Sequence, residues 1–365
     1  MTRLVPAGPR FDRARFVLQD GLARRVAPAA VVEVGIPGGA LWREAFGTLT
    51  YEAGSPPATT DTVFDLASLT KVIATTTLVM RAAESGALPL EQRVAHWIPA
   101  WRGDDREDVR LEDLLAHAAG LPDTRPIYEQ ATGRLAFEAA ICALPLEYRP
   151  RTASVYSDLG FILLGFILET SAARGLASQF AELAAAPGAG WELRFGIDEG
   201  WRERVAPTQE DAWRGRLLRG EVDDRNAAAL SGVAGHAGLF GTAPAVGEFS
   251  RAILNGLSGV SGGQAFMPLA SPGTLARFVR KAGTPGSSRA LGWDTMRPSS
   301  SCGTRMSPQA FGHTGFTGTS LWIDPVARVY VVLLTNRVHP VAGPPEPIQE
   351  LRRALHDAVM DALNG

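Results

Sequence analysis

The most reactive combination of side chains in this sequence is a serine and a lysine three positions apart, Ser68 and Lys71. Of the 36 lysines and arginines only two are lysines, so Lys71 is a Lys where nearly every other cation is Arg. A buried or crowded Lys can become a neutral amine and accept a proton, whereas Arg keeps its proton. A Ser followed at i+3 by such a Lys is the S-x-x-K arrangement of acyl-transfer enzymes with a nucleophilic serine. The spacing therefore predicts a serine hydrolase in which a neutral Lys71 takes the proton of Ser68.

The residues after Ser68 favour this interpretation over a simpler one. A general preference for Arg explains much of the scarcity of lysine, and Ser68 can be a helix cap with Lys71 in solvent. The segment from Thr70 to Ala83, however, is apolar on nearly every side, which is typical of a buried helix. At the start of such a helix Lys71 is shielded from solvent, and the free N–H groups of the first turn favour an oxyanion beside Ser68.

A second candidate group is Tyr156-Ser157-Asp158, just before an apolar helix predicted over Leu159–Thr170. In an extended segment, residues two apart point the same way, so Tyr156 and Asp158 can both face a cleft. A Tyr beside an ammonium group can be held partly as phenolate and act as a base. The alternative is that Ser157 or Asp158 only caps the helix.

The third candidate group is the glycine-rich run from Gly312 to Gly318, Gly-His-Thr-Gly-Phe-Thr-Gly, which leads into a strand. Three glycines without side chains let a substrate backbone approach closely. The N–H of Phe316 can then join that of Ser68 as an oxyanion hole. A bulge before a strand, with no role in binding, is the alternative.

The composition excludes several classes of protein. The chain has 365 residues, 45% hydrophobic and 20% charged, as in a soluble globular protein, and its net charge of −2 predicts neither nucleic acid nor an anionic membrane as partner. No apolar run is long enough for a membrane span, and the start of the chain lacks the apolar core of a signal peptide, so we expect a cytoplasmic protein. Cys142 and Cys302 are isolated, which predicts reduced thiols and no metal or cofactor.

Predicted strands lie near both ends of the chain with a helical block between them. The predicted strands are 30–35, 40–47, 320–323 and 329–335, and the predicted helices are 11–25, 111–116, 134–143, 159–170, 245–254 and 347–363. This order indicates an α/β (α+β) fold whose antiparallel sheet is built from both ends of the chain. We expect a discontinuous sheet domain of residues 1–71 plus 286–365 and an inserted, mostly helical domain of residues 72–285.

Taken in order, Ser-x-x-Lys, Tyr-Ser-Asp and His-Thr-Gly resemble the motifs of the serine β-lactamase and penicillin-binding-protein superfamily. The sequence looks closest to the branch of class C β-lactamases, D-alanyl-D-alanine carboxypeptidases and related esterases. The resemblance extends from about Val31 to Asn336 and includes three connecting segments. These are Leu114–Pro122, Gly235–Phe240 and Gly318–Pro325. It implies one α/β domain and one helical domain, with the active site in the cleft between them.

Residue by residue, the resemblance implies that Ser68 is the acylated nucleophile, Lys71 its proton partner and Tyr156 the base or proton shuttle. It further implies that the backbone N–H groups of Ser68 and Phe316 bind the oxyanion. The residues that it places against the substrate are Asp158, His313, Thr314, Gly315 and Phe316.

Two positions depart from the usual pattern of the β-lactamases. Asp158 stands where Asn is usual, and His313 stands where Lys is usual. A mostly neutral His is a weaker anchor for a carboxylate than a fixed ammonium group. Both changes favour an esterase or peptidase-like hydrolase of a small ester, amide or peptide-like substrate, with weak β-lactamase activity as a further option.

The sequence also offers three alternative functional interpretations. The run Gly259–Gly263 fits the G-x-S-x-G nucleophile elbow, but that motif needs a preceding strand, and here a helical segment precedes, so we predict a flexible surface loop. A metal hydrolase built on His117, His236, His313 and Asp158 is disfavoured, because these residues lack metal-ligand spacing. We expect His117 to make structural hydrogen bonds between helices, and packing explains His236 at least as well as a place on the rim of the cleft. A non-catalytic sensor that binds a β-lactam or peptide stays open, because such a protein would keep the same nucleophile.

Overall fold

A six-stranded sheet forms the frame of the molecule, and both ends of the chain contribute to it. The computed structural model describes residues 9–186, 188–259 and 269–365. In spatial order the strands are β2 (Gly39–Gly47), β1 (Ala29–Ile36), β11 (Val329–Thr335), β10 (Ser320–Asp324), β9 (Phe311–Thr314) and β8 (Asp294–Thr295). Every neighbouring pair is antiparallel, which confirms the predicted fold class.

Alternate residues of the central strands enter two different cores. The helices against the sheet are α1 (Asp12–Ala23), α9 (Ala243–Leu257) and α11 (Glu346–Asn364). Val32 and its cross-strand partner Leu333 lie in the core with α1 and α11, whereas Val31 and its partner Leu334 lie in the core with α9. Because successive side chains of a strand point to opposite faces and both faces are covered, these strands are apolar at nearly every position.

A helical layer packs beside the sheet around one central helix, α6 (Asp158–Ala172). Its residues 159–168 are all buried, and it contacts five other helices of the layer and a π-helical turn. The other helices are α2 (Thr77–Glu84), α3 (Val94–Trp97), α4 (Leu111–Leu115), α5 (Arg134–Ala143), α7 (Leu176–Ala184), α8 (Arg225–Ala229) and α10 (Pro272–Val279). Short strands complete the layer: β3 (Phe64–Asp65), β4 (Leu193–Phe195) and β7 (Leu239–Gly241) form one sheet, and β5 (Glu210–Asp211) and β6 (Arg216–Leu217) another.

The helix predicted after Ser68 begins with a wider turn than expected. Residues Lys71–Thr76 form a π-helix, and α2 continues from Thr77. All six residues of the π-helical turn are buried, as the apolar sequence predicted. Single π-helical turns are rare and frequently occur at functional sites.

The division into a sheet domain and an inserted helical domain stays a prediction. Helix α9 lies within the range 72–285 assigned to the helical domain, yet it packs on β1 and β11 of the sheet.

The G-x-S-x-G run, from Val260 onwards, lies outside the described residues. Within the described part, no single helix is long and apolar enough to cross a membrane, although α6 and α7, bent by 79°, reach that length together. The same part of the chain holds no cluster of three or more His, Cys, Asp or Glu suited to a metal ion.

Candidate active site

A tight turn after β3 presents Ser68 to a cleft of about 960 Å³. Ala67, directly before it, has a φ of +47°, in the left-handed region that few non-glycine residues adopt. Its N–H donates to Asp65 Oδ1 at 2.8 Å, which holds the turn. Burial, together with the nearby Asp223 carboxylate, raises the pKa of Asp65 to about 7. Sequence reasoning did not single out Asp65, although it lies three residues before Ser68.

Lys71 lies directly beneath the nucleophile. Its Nζ donates to Ser68 Oγ at 2.9 Å and to the carbonyl oxygen of His236 at 3.1 Å, and it is 2.7 Å from Asp158 Oδ1. Burial lowers the pKa of Lys71, but the negative charge of Asp158 and the Tyr156 hydroxyl outweigh this and raise it above its ordinary value. The predicted proximity to Ser68 is therefore correct, but the expectation of a neutral resting amine is wrong, because Asp158 holds Lys71 as a cation.

Tyr156 completes the contacts of the nucleophile from the other side. Its hydroxyl donates to Ser68 Oγ at 2.8 Å, and its ring lies 4.9 Å from Lys71 Nζ. Burial raises the pKa of Tyr156, and the opposing effect of the Lys71 charge does not overcome it. The expected partial phenolate is therefore wrong for the resting site, in which Tyr156 keeps its proton.

Asp158 opens α6 and faces the cleft on the same side as Tyr156, as the two-residue spacing predicted. Its carboxylate pairs with Lys71, a contact that the sequence did not indicate. Ser157 occupies the N-cap position of α6, but its side chain makes no capping hydrogen bond, because its Oγ donates to the Pro122 carbonyl at 2.6 Å. The segment is thus a site element as well as the start of the helix.

The edge of β9 forms the opposite wall of the cleft, where His313, Thr314, Gly315 and Phe316 all line it. His313 is buried, and its Nδ1–H donates to the carbonyl oxygen of Thr314 at 2.9 Å. Burial first, and then the positive charges of Arg289 and Lys71, lower the pKa of His313 well below 6.5. This wall therefore carries a neutral ring where the β-lactamases usually have an ammonium group.

Close backbone contact joins this wall to the turn of the nucleophile. A Cβ on Gly315 would lie 2.8 Å from the Leu66 carbonyl oxygen, so the approach requires glycine. The hydroxyls of Thr317 and Thr319 donate to the carbonyl oxygens of Asp65 and Leu66 at 2.8 and 3.0 Å. Sequence reasoning missed both threonines, which follow Gly315 by two and four residues in the turn between β9 and β10.

The N–H groups of Ser68 and Phe316 are available as donors for an oxyanion hole. Neither donates to a protein acceptor in the described part of the chain, and both residues line the cleft. Unsatisfied N–H donors that converge on a nucleophile can stabilise the negative charge of a tetrahedral intermediate. These two donors are the ones that the sequence predicted for the oxyanion hole, and their role stays a prediction.

Several arginines on the cleft wall were not anticipated. The cleft is lined by Arg289, Arg297, Arg352 and Arg353, among others. Arg352 is buried and donates to the carbonyl oxygens of Gly315 and Thr319, at 3.0 and 2.8 Å. Burial, with the charge of Arg337, lowers its pKa to about 9. Its contacts hold the glycine-rich turn in place.

Comparison with known families gives one match over nearly the whole chain. The family model described as Beta-lactamase covers residues 15–355. The chain belongs to the β-lactamase family. A relative from Salmonella gallinarum, provisionally named a D-alanyl-D-alanine carboxypeptidase, is 32% identical over an alignment of 321 positions; the match covers 79% of this chain and 72% of the relative.

Solved structures of the β-lactamase family show the same fold. A class C β-lactamase from Rhodobacter sphaeroides superposes with a TM-score of 0.75 at 18% identity, covering 97% of this chain and all of the other. EstCE1, described as a hydrolase with promiscuous acyltransferase activity, gives 0.71 at 21% identity, covering 94% of this chain and 98% of its own. The predicted family, fold and enzyme class, a serine hydrolase, are confirmed.

Proposed function

We propose that the protein hydrolyses a small ester, amide or peptide-like substrate through a covalent acyl-enzyme on Ser68. The observation that carries this is the pair of short contacts to one oxygen: Lys71 Nζ at 2.9 Å and Tyr156 Oη at 2.8 Å both reach Ser68 Oγ. A nucleophile within hydrogen-bond reach of two groups that exchange protons is the geometry of covalent catalysis.

Acylation begins with the loss of one proton from the Lys71–Tyr156 pair, because both groups hold their protons at rest. The pair then accepts the hydroxyl proton of Ser68 as Oγ bonds to the substrate carbonyl carbon. The N–H groups of Ser68 and Phe316 receive the oxygen that becomes negative. As the carbonyl re-forms, the bond to the leaving group breaks, and Tyr156 returns the proton to that group.

Deacylation repeats these steps with water. The pair takes a proton from a water molecule, the hydroxide formed attacks the ester carbonyl, and Ser68 leaves with the proton. Asp158 balances the charge of Lys71 whenever Lys71 is protonated, since its carboxylate is 2.7 Å from Nζ. Balanced charge at a buried Lys avoids the large cost of an isolated ion.

The choice among substrates is supported by the cleft and by the relatives. A cleft of about 960 Å³ accommodates more than a minimal ester, and its walls combine polar and apolar surface. The neutral His313 offers no fixed charge to the carboxylate of a β-lactam. The relative's name points to peptides that end in D-alanyl-D-alanine, and the description of EstCE1 as a hydrolase with acyltransferase activity points to acyl compounds. We therefore expect peptides and simple acyl esters to be better substrates than β-lactams.

The test compares p-nitrophenyl butyrate, an acyl-D-alanyl-D-alanine peptide and a penicillin, each followed by turnover and by intact mass. We expect turnover of the ester or the peptide, with a transient mass increase equal to the acyl group, and loss of both in Ser68→Ala. A stable adduct without turnover would support the non-catalytic sensor instead. Turnover that persists in Ser68→Ala would exclude Ser68 as the nucleophile.

A further inference from the structure

One residue beside the site adopts a backbone conformation that its side chain disfavours. His117 has a φ of +55°, in the left-handed region. For a residue other than glycine this conformation costs on the order of 1 kcal/mol or more, and it persists only where the surrounding structure holds it. Such outliers cluster at functional sites, so the contacts of His117 indicate which part of the site this strained conformation holds in place.

His117 holds the backbone on both sides of Tyr156. Its carbonyl oxygen accepts from the N–H of Val155 at 3.1 Å, and its ring Nδ1 accepts from the N–H of Ser157 at 3.0 Å. The left-handed backbone is what lets the carbonyl and the ring of one residue reach donors two positions apart. Tyr156 lies between these two donors, so a single residue holds the backbone of both its neighbours in the chain.

The ring of His117 also packs against the ring of Tyr156. The two centroids are 4.8 Å apart with planes inclined by 39°, and Phe161 covers the other side of the imidazole at 5.1 Å. His117 is 2% exposed, so its imidazole is closed to solvent, whereas Tyr156 also lines the cleft. Tyr156 can then neither rotate its ring away from Ser68 nor shift along the chain without breaking a contact with His117.

The hydrogen bond to Ser157 defines the protonation of the imidazole. A nitrogen that accepts from an N–H carries no proton, so the proton of the neutral ring is on Nε2. Burial first, then the charges of Arg289 and Lys71, lower the pKa of His117 well below 6.5. The ring is therefore a neutral acceptor rather than an acid or base, and it takes no part in proton transfer itself.

We propose that His117 is the positioning residue of Tyr156 and acts on catalysis only through the placement of the Tyr156 hydroxyl on Ser68. This rests on the proposed function, because it gives Tyr156 a place in the proton transfer. The distance of 2.8 Å between Tyr156 Oη and Ser68 Oγ is that of a direct hydrogen bond, which a small shift of the Tyr156 ring would break. A misplacement of about 1 Å at a reacting group can reduce the rate roughly 100-fold.

Three substitutions of His117 separate the effect of its hydrogen-bond acceptor, Nδ1, from the effect of the size of its ring. In His117→Asn the side-chain oxygen can occupy the place of Nδ1, and Asn tolerates the left-handed region. In His117→Gln the oxygen lies one bond further out, so the Ser157 N–H loses its acceptor. With p-nitrophenyl butyrate we expect kcat to fall about threefold for Asn and about 100-fold for Gln and for His117→Ala, with KM little changed. Thermal unfolding of each variant shows whether it is folded at the assay temperature.

A double-mutant cycle with Tyr156→Phe decides whether His117 acts through Tyr156. Once the hydroxyl is gone, its placement no longer matters, so adding His117→Gln should lower kcat no further. A further loss of the same size as in the wild-type background would overturn the proposal, as would equal kcat values for the Asn and Gln variants. Turnover in Ser68→Ala would instead refute the proposed function, which keeps the two failures distinct.

Discussion

The two walls of the cleft differ in the charge of the side chains nearest to Ser68. On the helical side, Lys71 and Asp158 form a buried ion pair, and Tyr156 stands beside it with its proton. On the sheet side, His313 is neutral, and the N–H of Phe316 is free of protein acceptors in the described part of the chain. The helical wall is thus built to hold and move protons, whereas the sheet wall offers dipoles to the substrate.

The reason for the difference lies in what surrounds each wall. A fully buried ammonium group is stable only with a carboxylate against it, and α6 supplies one through Asp158 at its first residue. His313 has no such partner and lies near two cations, Arg289 and Lys71, that oppose a positive charge on its ring. Position in the fold, and not residue type alone, therefore decides which group is charged.

Lys71→Arg tests the helical wall and should have the largest effect. Arg keeps the charge opposite Asp158 but cannot release a proton at accessible pH, so we expect acylation to fall by about 10²–10⁴-fold with little loss of stability. Single-turnover kinetics with p-nitrophenyl butyrate measure the effect. Lys281→Arg, at the exposed second lysine of the chain, is the matched control. A near-normal rate in Lys71→Arg would refute Lys71 as the proton partner.

The pH dependence distinguishes a cationic Lys71 from a neutral one. Because the pKa values of Lys71 and Tyr156 are both raised, the reactive form is the minor one near neutrality, and it grows as pH rises. We expect kcat/KM for an uncharged ester to increase about tenfold per unit from about pH 6 to about pH 9, after subtraction of the Ser68→Ala background. A plateau that begins below pH 7 would mean that the pair has already lost a proton at rest.

Asp158→Asn sharpens the same point by removing the carboxylate that holds the proton of Lys71. Without it, burial dominates and the pKa of Lys71 should fall, so the rise of kcat/KM should move to lower pH by about one unit or more. Unfolding should occur at lower temperature, since a buried charge without its partner costs on the order of 3 kcal/mol. An unshifted profile would show that Asp158 does not control this proton.

His313→Lys tests the sheet wall and should have the smallest effect. An ammonium group there supplies a charge-assisted hydrogen bond to the carboxylate of a penicillin, and we expect binding to tighten about tenfold, measured from the rate of acyl-enzyme formation against concentration. Hydrolysis of an uncharged ester is the internal control and should gain nothing. Unchanged affinity for the penicillin would mean that this position does not face the substrate.

Much of the site could be predicted from short patterns. The spacing of Ser68 and Lys71 and the pair Tyr156 and Asp158 are local, and the periodicity of a helix or an extended segment is enough to place each pair on one side. Their charge states could not be predicted this way. The ion pair of Lys71 with Asp158 joins residues 87 positions apart in the chain, and a pKa depends on such contacts and on burial.

The supporting residues show the same limit. His117 reads as an ordinary histidine in the sequence, and only the folded chain brings its carbonyl and ring to Val155 and Ser157. Likewise nothing around Thr319 indicates that its hydroxyl meets the carbonyl oxygen of Leu66. These contacts depend on the register between distant segments, which local patterns do not encode.

The sequence by itself determined the family, the antiparallel sheet drawn from both ends of the chain, and the residues Ser68, Lys71 and Tyr156 around one oxygen. The sheet follows from apolar periodicity and the pair Ser68 and Lys71 from spacing within a few residues, whereas the family and the place of Tyr156 beside Ser68 follow from the order of motifs that resembles the family. The tertiary structure alone decided that Lys71 is a cation, that Tyr156 keeps its proton, and that His117 holds it in place. The physical reason is that charge and position at a buried site are set by neighbours from distant parts of the chain.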